Sequence, residues 1–265
     1  MTLIAILIGT MAAGIGSVWL AALLSFGMLA RYTQHMLSLA AGALLATAFM
    51  HLLPEAFEGR IGADNLFATL LTGLVFFFLL DKAELWHHGH EHHAAQNPAR
   101  PHDAGHNHGD AHDHAHRPGG WTVLAGDSVH AFGDGILIAS AFIADLRLGL
   151  VATLAVLVHE VPHHMGDLIV LRQSSNNRRV ALVKVSLAGA VTALGGVVGY
   201  ALVDPLIAYL PYFLIVAASS FVYVALADLI PQLQKRASPS ETVAQIVWLA
   251  IGIGLVMLIG GLVRV

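Results

Sequence analysis

The 265-residue sequence contains no cysteine. Disulfides and thiolate ligands are therefore excluded, and any metal must be held by nitrogen and oxygen. Charge is also scarce: Asp, Glu, Lys and Arg make up 11% of the chain, where a soluble domain carries about a quarter. No P-loop or other nucleotide-binding pattern occurs, so nothing points to ATP as a driving force. The opening MTLIAILIGTMAAGIGSVWL lacks the basic flank of a cleaved leader, and its apolar run is too long for one. It is read as a retained first span. What the chain does have is apolar surface, with 57% hydrophobic residues and a mean hydropathy of +0.72.

Apolar segments fall near 2–30, 36–57, 62–86, 121–144, 148–171, 180–203, 207–232 and 242–263. Each is close to the ~20 residues that a bilayer-crossing helix needs. Only helices and closed barrels satisfy their backbone in lipid, and runs this long and unalternating are helices. The expectation is an all-α integral membrane protein. Residues 1–86 would carry helices 1–3, 121–171 helices 4 and 5, and 172–265 helices 6–8. Between them, residues 87–120 hold eleven of the seventeen histidines and almost nothing apolar. Such a tract binds metals through neutral imidazoles but has no means of building a core, so it is expected to be a disordered loop. Basic residues orient the whole. With both termini outside, ten Lys and Arg face the cytoplasm and three face outward. The histidine tract then lies in the cytoplasm, and a bacterial inner membrane is the expected location.

One repeat is visible. Residues 51–55 read HLLPE and residues 228–232 read DLIPQ, in helices expected to run in opposite directions. This suggests an inverted repeat relating helices 1–3 to helices 6–8 around central helices 4 and 5. Transporters built this way place their substrate site near the midplane between the halves.

The polar residues of the spans carry the chemistry. In the fourth, GDSVHAFGDG sets His130 and Asp134 four apart, on one helical face. In the fifth, HEVPHHMGD sets His159, His163 and Asp167 on one stripe, with Glu160 and His164 on a second about 100° round. His51 and Glu55 form a further i, i+4 pair, and Asp228 lies deep in the seventh span. At 1.5 Å per residue, His130 and His159 both lie ~14 Å from the inner face of a ~30 Å core, on consecutive antiparallel helices. A lone carboxylate at that depth costs at least ~2.5–3.5 kcal/mol. Asp134 and Glu160 therefore call for a cation. Nitrogen and oxygen donors suit Zn²⁺, and also Fe²⁺, Mn²⁺ or Cd²⁺. The metal ligands expected are His130, Asp134, His159, Glu160 and His163, with His51 read equally well as a ligand or as a packing residue. Glu55, His164, Asp167 and Asp228 are further pathway candidates. Asp127 either pairs locally or lines an exit, with the local role favoured. Pro162 and Pro54 are expected to break their helices and free the carbonyls of Val158 and Met50.

HEVPH also satisfies the HExxH pattern of a zinc metalloprotease, in which two His bind the metal and Glu is the general base. A protease accounts for neither the spread of polar groups over several spans nor the histidine tract. An exporter of the cation-diffusion type shares the HxxxD spacing, but proteins of that kind resemble six spans followed by a soluble domain. The sequence is expected to be a transporter and not an enzyme.

GDSVHAFGDG and HEVPHHMGDLIVL resemble the two signature helices of the ZIP family of metal-ion transporters, GDxxHNFxDG and HEVPHExGD. HLLPEA and FVYVALADLIPQL are similar to that family's patterns too, and the HEVPH form is typical of its LIV-1-like branch. The likeness runs through nearly the whole chain and implies a bacterial-type member that takes up Zn²⁺ or related divalent ions into the cytoplasm. It also implies a two-metal centre between helices 4 and 5. By position, His130, His163 and His51 would serve one metal, and Asp134, His159 and Glu160 would serve or bridge to the second. Ala131 stands where the family has Asn, His164 where it has Glu, and the sixth span offers no carboxylate. These departures remove oxygen ligands from the second position. The partners implied are divalent metal ions and the lipid bilayer, with a homodimer left open and no nucleic acid.

Overall fold

The computed structural model describes residues 2–26, 33–59, 61–89, 120–175, 178–233 and 238–262. These residues are almost wholly helical. The first rod, α1, covers 2–26 and contains a π-helical stretch, Ala12–Gly16. The second, α2, covers 33–57 with a π stretch at Ala48–Leu52. Then follow α3 (Ala63–Gly89), α4 (Gly120–Ala144), α5 (Leu146–Ser175) and α6 (Arg178–Val203). A 3₁₀ turn, Asp204–Tyr209, leads into α7 over 210–233, with a π stretch at Val224–Leu229, and α8 is Pro239–Leu262. The His-rich segment 90–119 lies outside the described residues.

Seven stretches among the described residues are long and apolar enough to cross a membrane. One of them, Arg179–Ala227, has 49 residues, about 70 Å of helix if straight and so more than twice the core thickness. It is interrupted at the 3₁₀ turn, where Leu206 leaves helical geometry (φ −106°, ψ 29°) and two prolines, Pro205 and Pro211, each remove a backbone donor. Side chains such as Ile8, Leu23, Leu71, Val183, Ile246 and Leu258 are exposed. In water these would be a liability; facing lipid they are the expected surface of an integral membrane protein.

The rods sort into two groups. α1, α4, α5 and α6 pack on one another, as do α2, α3, α7 and α8, and the groups meet chiefly where α2 lies on α5. α2 packs on α8 as α7 packs on α3, and α4 packs on α6 as α5 packs on α1. These are the contacts that an inverted repeat relating α1–α3 to α6–α8 generates. The two sequence pentads fold alike as well. The N–H of Leu53, just before Pro54, bonds the carbonyl of Ala48 five residues back, and that of Ile230, just before Pro231, bonds Ala225. Each proline lacks a donor, and the turn before it widens from α to π geometry. Pro162 behaves differently from expectation. α5 continues as an α-helix straight through it. Packing on α1, α2, α4 and α6 holds the rod in line, as neighbouring helices commonly do for proline in membrane spans.

Small residues set the closest crossings, where packing rather than hydrophobic segregation must hold helices together. A Cβ on Gly135 of α4 would collide with the Thr192 carbonyl oxygen of α6, and one on Gly195 of α6 with the Phe132 carbonyl oxygen of α4. Gly42 and Gly252 meet Leu249 and Leu39 in the same way at the α2–α8 crossing. Gly133, on the open side of α4, has nothing within 4 Å of such an atom. In thermal melts of the solubilised protein, Gly135→Ala is expected to lower the midpoint by roughly 3–10 °C through overpacking. Gly133→Ala should leave it unchanged or slightly higher, since Ala is the better helix former. Equal midpoints for the two variants would contradict this packing.

Candidate metal centre

The α4–α5 crossing brings polar side chains together from the middle of both helices. The i, i+4 spacing puts His130 and Asp134 on the face of α4 that meets α5, and α5 answers with adjacent residues His159 and Glu160. His159 Nε2 lies 3.3 Å from Asp134 Oδ2 and 3.3 Å from Glu160 Oε1. His130 Nε2 lies 3.4 Å from Glu160 Oε1, 3.7 Å from Asp134 Oδ2 and 3.4 Å from His159 Nε2. Asp134, His159 and Glu160 are buried, while the His130 side chain is 31% exposed and forms the open edge of the group.

Hydrogen-bond bookkeeping fixes which atoms face inward. His159 Nδ1 donates to the Ala155 carbonyl oxygen at 3.1 Å. In a neutral ring this leaves the Nε2 lone pair aimed at the carboxylates, the arrangement by which second partners orient a metal-binding imidazole. Asp134 Oδ2 and Glu160 Oε1 accept no hydrogen bond. Two carboxylate oxygens and two imidazole nitrogens thus converge on one point in an apolar layer, an arrangement that calls for positive charge among them, from a bound cation or a protonated imidazole. A tetrahedron with arms of ~2.0–2.1 Å has edges of about 3.3–3.4 Å. The five separations above run from 3.3 to 3.7 Å.

A second group adjoins the first. Glu160 turns its other oxygen, Oε2, to His164 Nε2 at 3.2 Å, and Asp127 Oδ2 lies 3.9 Å from the same nitrogen. Among the described residues, these are the two sets of three or more His, Asp or Glu whose ligand atoms lie within 4.8 Å of one another.

The other sequence candidates stand around these groups rather than in them. His163 is beside the first, its ring centroid 5.8 Å from that of His130 and 6.2 Å from that of His159. His51 is buried in the π stretch of α2 with its ring against Gly260 of α8, where a Cβ would collide with it. Glu55 lies one turn further along α2, half-buried, and Asp167 lies half-buried on α5 beyond the second group. Asp228 falls in the π stretch of α7, and its side chain is outside the described residues. Asp127 reaches across to α5 rather than pairing within its own helix. The sequence reading did not single out Ser17 of α1, whose hydroxyl meets His164 Nδ1 at 3.0 Å. A lone serine in an apolar span gives no pattern to read, and only the α1–α5 packing reveals it.

Known proteins are similar to this chain over the region that holds these residues. A family model described as ZIP Zinc transporter matches residues 82–260, which include α4, α5 and both groups. The zinc transporter zipt-7.2 of Caenorhabditis elegans is 38% identical over 143 residues, 51% of this chain and 30% of the relative. The zinc transporter SLC39A7 of Mus musculus is 34% identical over 158 residues, 55% of this chain and 32% of the relative. The zinc transporter ZIP13 of Pongo abelii is 26% identical over 248 residues, covering 86% of this chain and 66% of the relative. The chain therefore spans about a third of the length of the first two relatives. With a match that takes in α4 to α7 and most of α8, the chain belongs to the ZIP zinc transporter family.

Proposed function

We propose that this protein carries divalent metal ions across a membrane into the cytoplasm, through a mid-membrane site made by His130, Asp134, His159 and Glu160. The observation that carries the reading is the convergence of two imidazole nitrogens and two carboxylate oxygens at tetrahedral-edge spacing. Such a donor set favours Zn²⁺ as substrate, with Cd²⁺, Fe²⁺ and Mn²⁺ as weaker alternatives. The zinc transporters among its relatives support the same choice. His163 and His51, beside the first group or on the opposing helix, are positioned to take part as the two helix groups move.

The protease alternative fits less well. It needs His159 and His163 on one metal and Glu160 free to act on water. Here Glu160 Oε1 sits among the ligand atoms, and His163 is outside them. Transport rather than catalysis is the role that uses every member of the group. The 3₁₀ break at Asp204–Tyr209 supports eight crossings, with residues 1–86, 121–171 and 172–265 as the membrane parts. Together with the bias of basic residues, it supports outside termini and a cytoplasmic 87–120 segment. Inward movement of a cation gains ~2.3 kcal/mol per charge per 100 mV.

Uptake of Zn²⁺ into liposomes containing the purified protein tests this directly. His130→Ala should lower the rate at least tenfold, while deletion of residues 90–117 should leave more than half of it. Normal flux in His130→Ala would refute the site. Protons compete with metal for the imidazoles, so uptake should fall as the outside pH is lowered through ~6.5. A rate that climbs steadily down to pH 5 would contradict imidazole ligation.

A further inference from the structure

We propose that Phe221 of α7 is a positioning residue for His159, setting the plane of that imidazole from the opposite helix group and so tuning how tightly the ion is held. The proposal rests on the transport reading above, but on a residue outside the ligand set. His159 is 1% exposed, and its own helix supplies one hydrogen bond, from Nδ1 to the Ala155 carbonyl oxygen. A single bond fixes one corner of a ring and leaves the ring free to tilt about it. A second contact is needed to set the plane in which Nε2 meets Asp134 and Glu160. The Phe221 ring supplies one. Its centroid lies 6.4 Å from that of His159, with the two planes at 61°, inside the edge-to-face range in which aromatic rings attract each other. The other rings beside His159, those of His130 and His163, belong to the ligand candidates themselves. Phe221 has no ligand atom and can only support.

The sequence of α7 makes Phe221 the residue that reaches across. Leu214, Ala217, Ala218, Phe221 and Ala225 recur at helical spacing and are all buried. The alanines let α7 come close to its neighbours, and Phe221 is the large side chain that projects among them. It shares one apolar cluster with Ala155, the residue whose carbonyl holds His159. Two supports, one from α5 and one from α7, thus act on the same imidazole, and the apolar ring keeps water from that side of it. α7 belongs to the helix group that does not carry the four converging side chains. The order of His159 therefore depends on the two groups lying together as they do here. An ion bound with both supports in place is held more tightly than one bound after α7 has drawn away, which ties release of the ion to movement between the groups.

The test compares Phe221→Leu with Phe142→Leu in the full chain. Leucine keeps an apolar side chain and removes the ring. Phe142 is a buried phenylalanine of the same apolar cluster. It lies eight residues beyond Asp134 on α4, ~12 Å further out, where its ring packs over Gly9 and Gly149. For Zn²⁺ uptake into liposomes, KM should rise about three- to tenfold in Phe221→Leu and stay unchanged in Phe142→Leu. Co²⁺ reports ligand geometry through its visible absorption. Each spectrum is taken as the difference from the same protein carrying Asp134→Asn and Glu160→Gln, so that the His-rich segment cancels. The bands should shift or broaden in Phe221→Leu and match the parent in Phe142→Leu. If Phe221→Leu does not survive solubilisation, Phe221→Met is measured in its place. A parental KM in Phe221→Leu, unaltered Co²⁺ bands, or the same changes in both variants would overturn the positioning role and leave the transport reading intact. No difference absorption in the parent would mean that the four side chains hold no ion, and both readings would fall.

Discussion

Two carboxylates, Asp134 and Glu160, are buried against imidazole nitrogens in the middle of two apolar helices, and the rest of the structure is arranged around that fact. Without a metal ion only protonated imidazoles offset the two carboxylates, across separations of 3.3 to 3.7 Å. Apolar packing alone gives no reason to put these groups there. With a divalent cation the same atoms become a coordination shell. His159 is locked by the Ala155 carbonyl and His164 by Ser17. Both rings are thereby held with Nε2 inward before any ion arrives, which keeps the ordering cost of binding low.

The scaffold serves two needs that pull against each other. Rigid placement comes from close helix crossings at glycine, above all Gly135 with Gly195, which lock α4 on α6. Under the transport reading movement requires softer places, and the π stretches, where the α-helical ladder is interrupted, are suited to that role. They lie in α1, α2 and α7, the last two directly before a proline, with α2 and α7 each packed on the other's widened turn. α5, which carries half of the ligand candidates, remains an unbroken α-helix. The division is physically sensible, because ligands need fixed spacing while the surrounding bundle needs freedom to rearrange.

The sequence made the all-α membrane fold and the α4–α5 site legible because both rest on short-range periodicity. Long apolar runs declare spans, and i, i+4 spacing declares a shared face. Equal depth on antiparallel neighbours then brings His130, Asp134, His159 and Glu160 together without further information. What spacing does not specify is the rotation of each helix about its axis. His163 shares a stripe with His159 yet falls just outside the ligand set, whereas Glu160, a stripe away, falls inside. Asp127 was read as a local partner because its contact with α5 depends on that rotation. Pro162 shows the same limit: proline signals a lost hydrogen bond, and whether the helix then widens or runs on is decided by its neighbours.

Comparing the metal response of the intact protein with that of an Asp134→Asn, Glu160→Gln double variant tests the central claim most directly. Thermal midpoints of both would be measured without metal and with saturating Zn²⁺. The His-rich segment is common to both proteins and cancels in the comparison. Binding at a hundred times Kd stabilises a folded state by ~2.7 kcal/mol. The intact protein should therefore gain several degrees and the double variant almost nothing, while the metal-free variant should melt no lower than the metal-free parent. Equal gains in the two proteins would mean that the buried acids do not hold the ion.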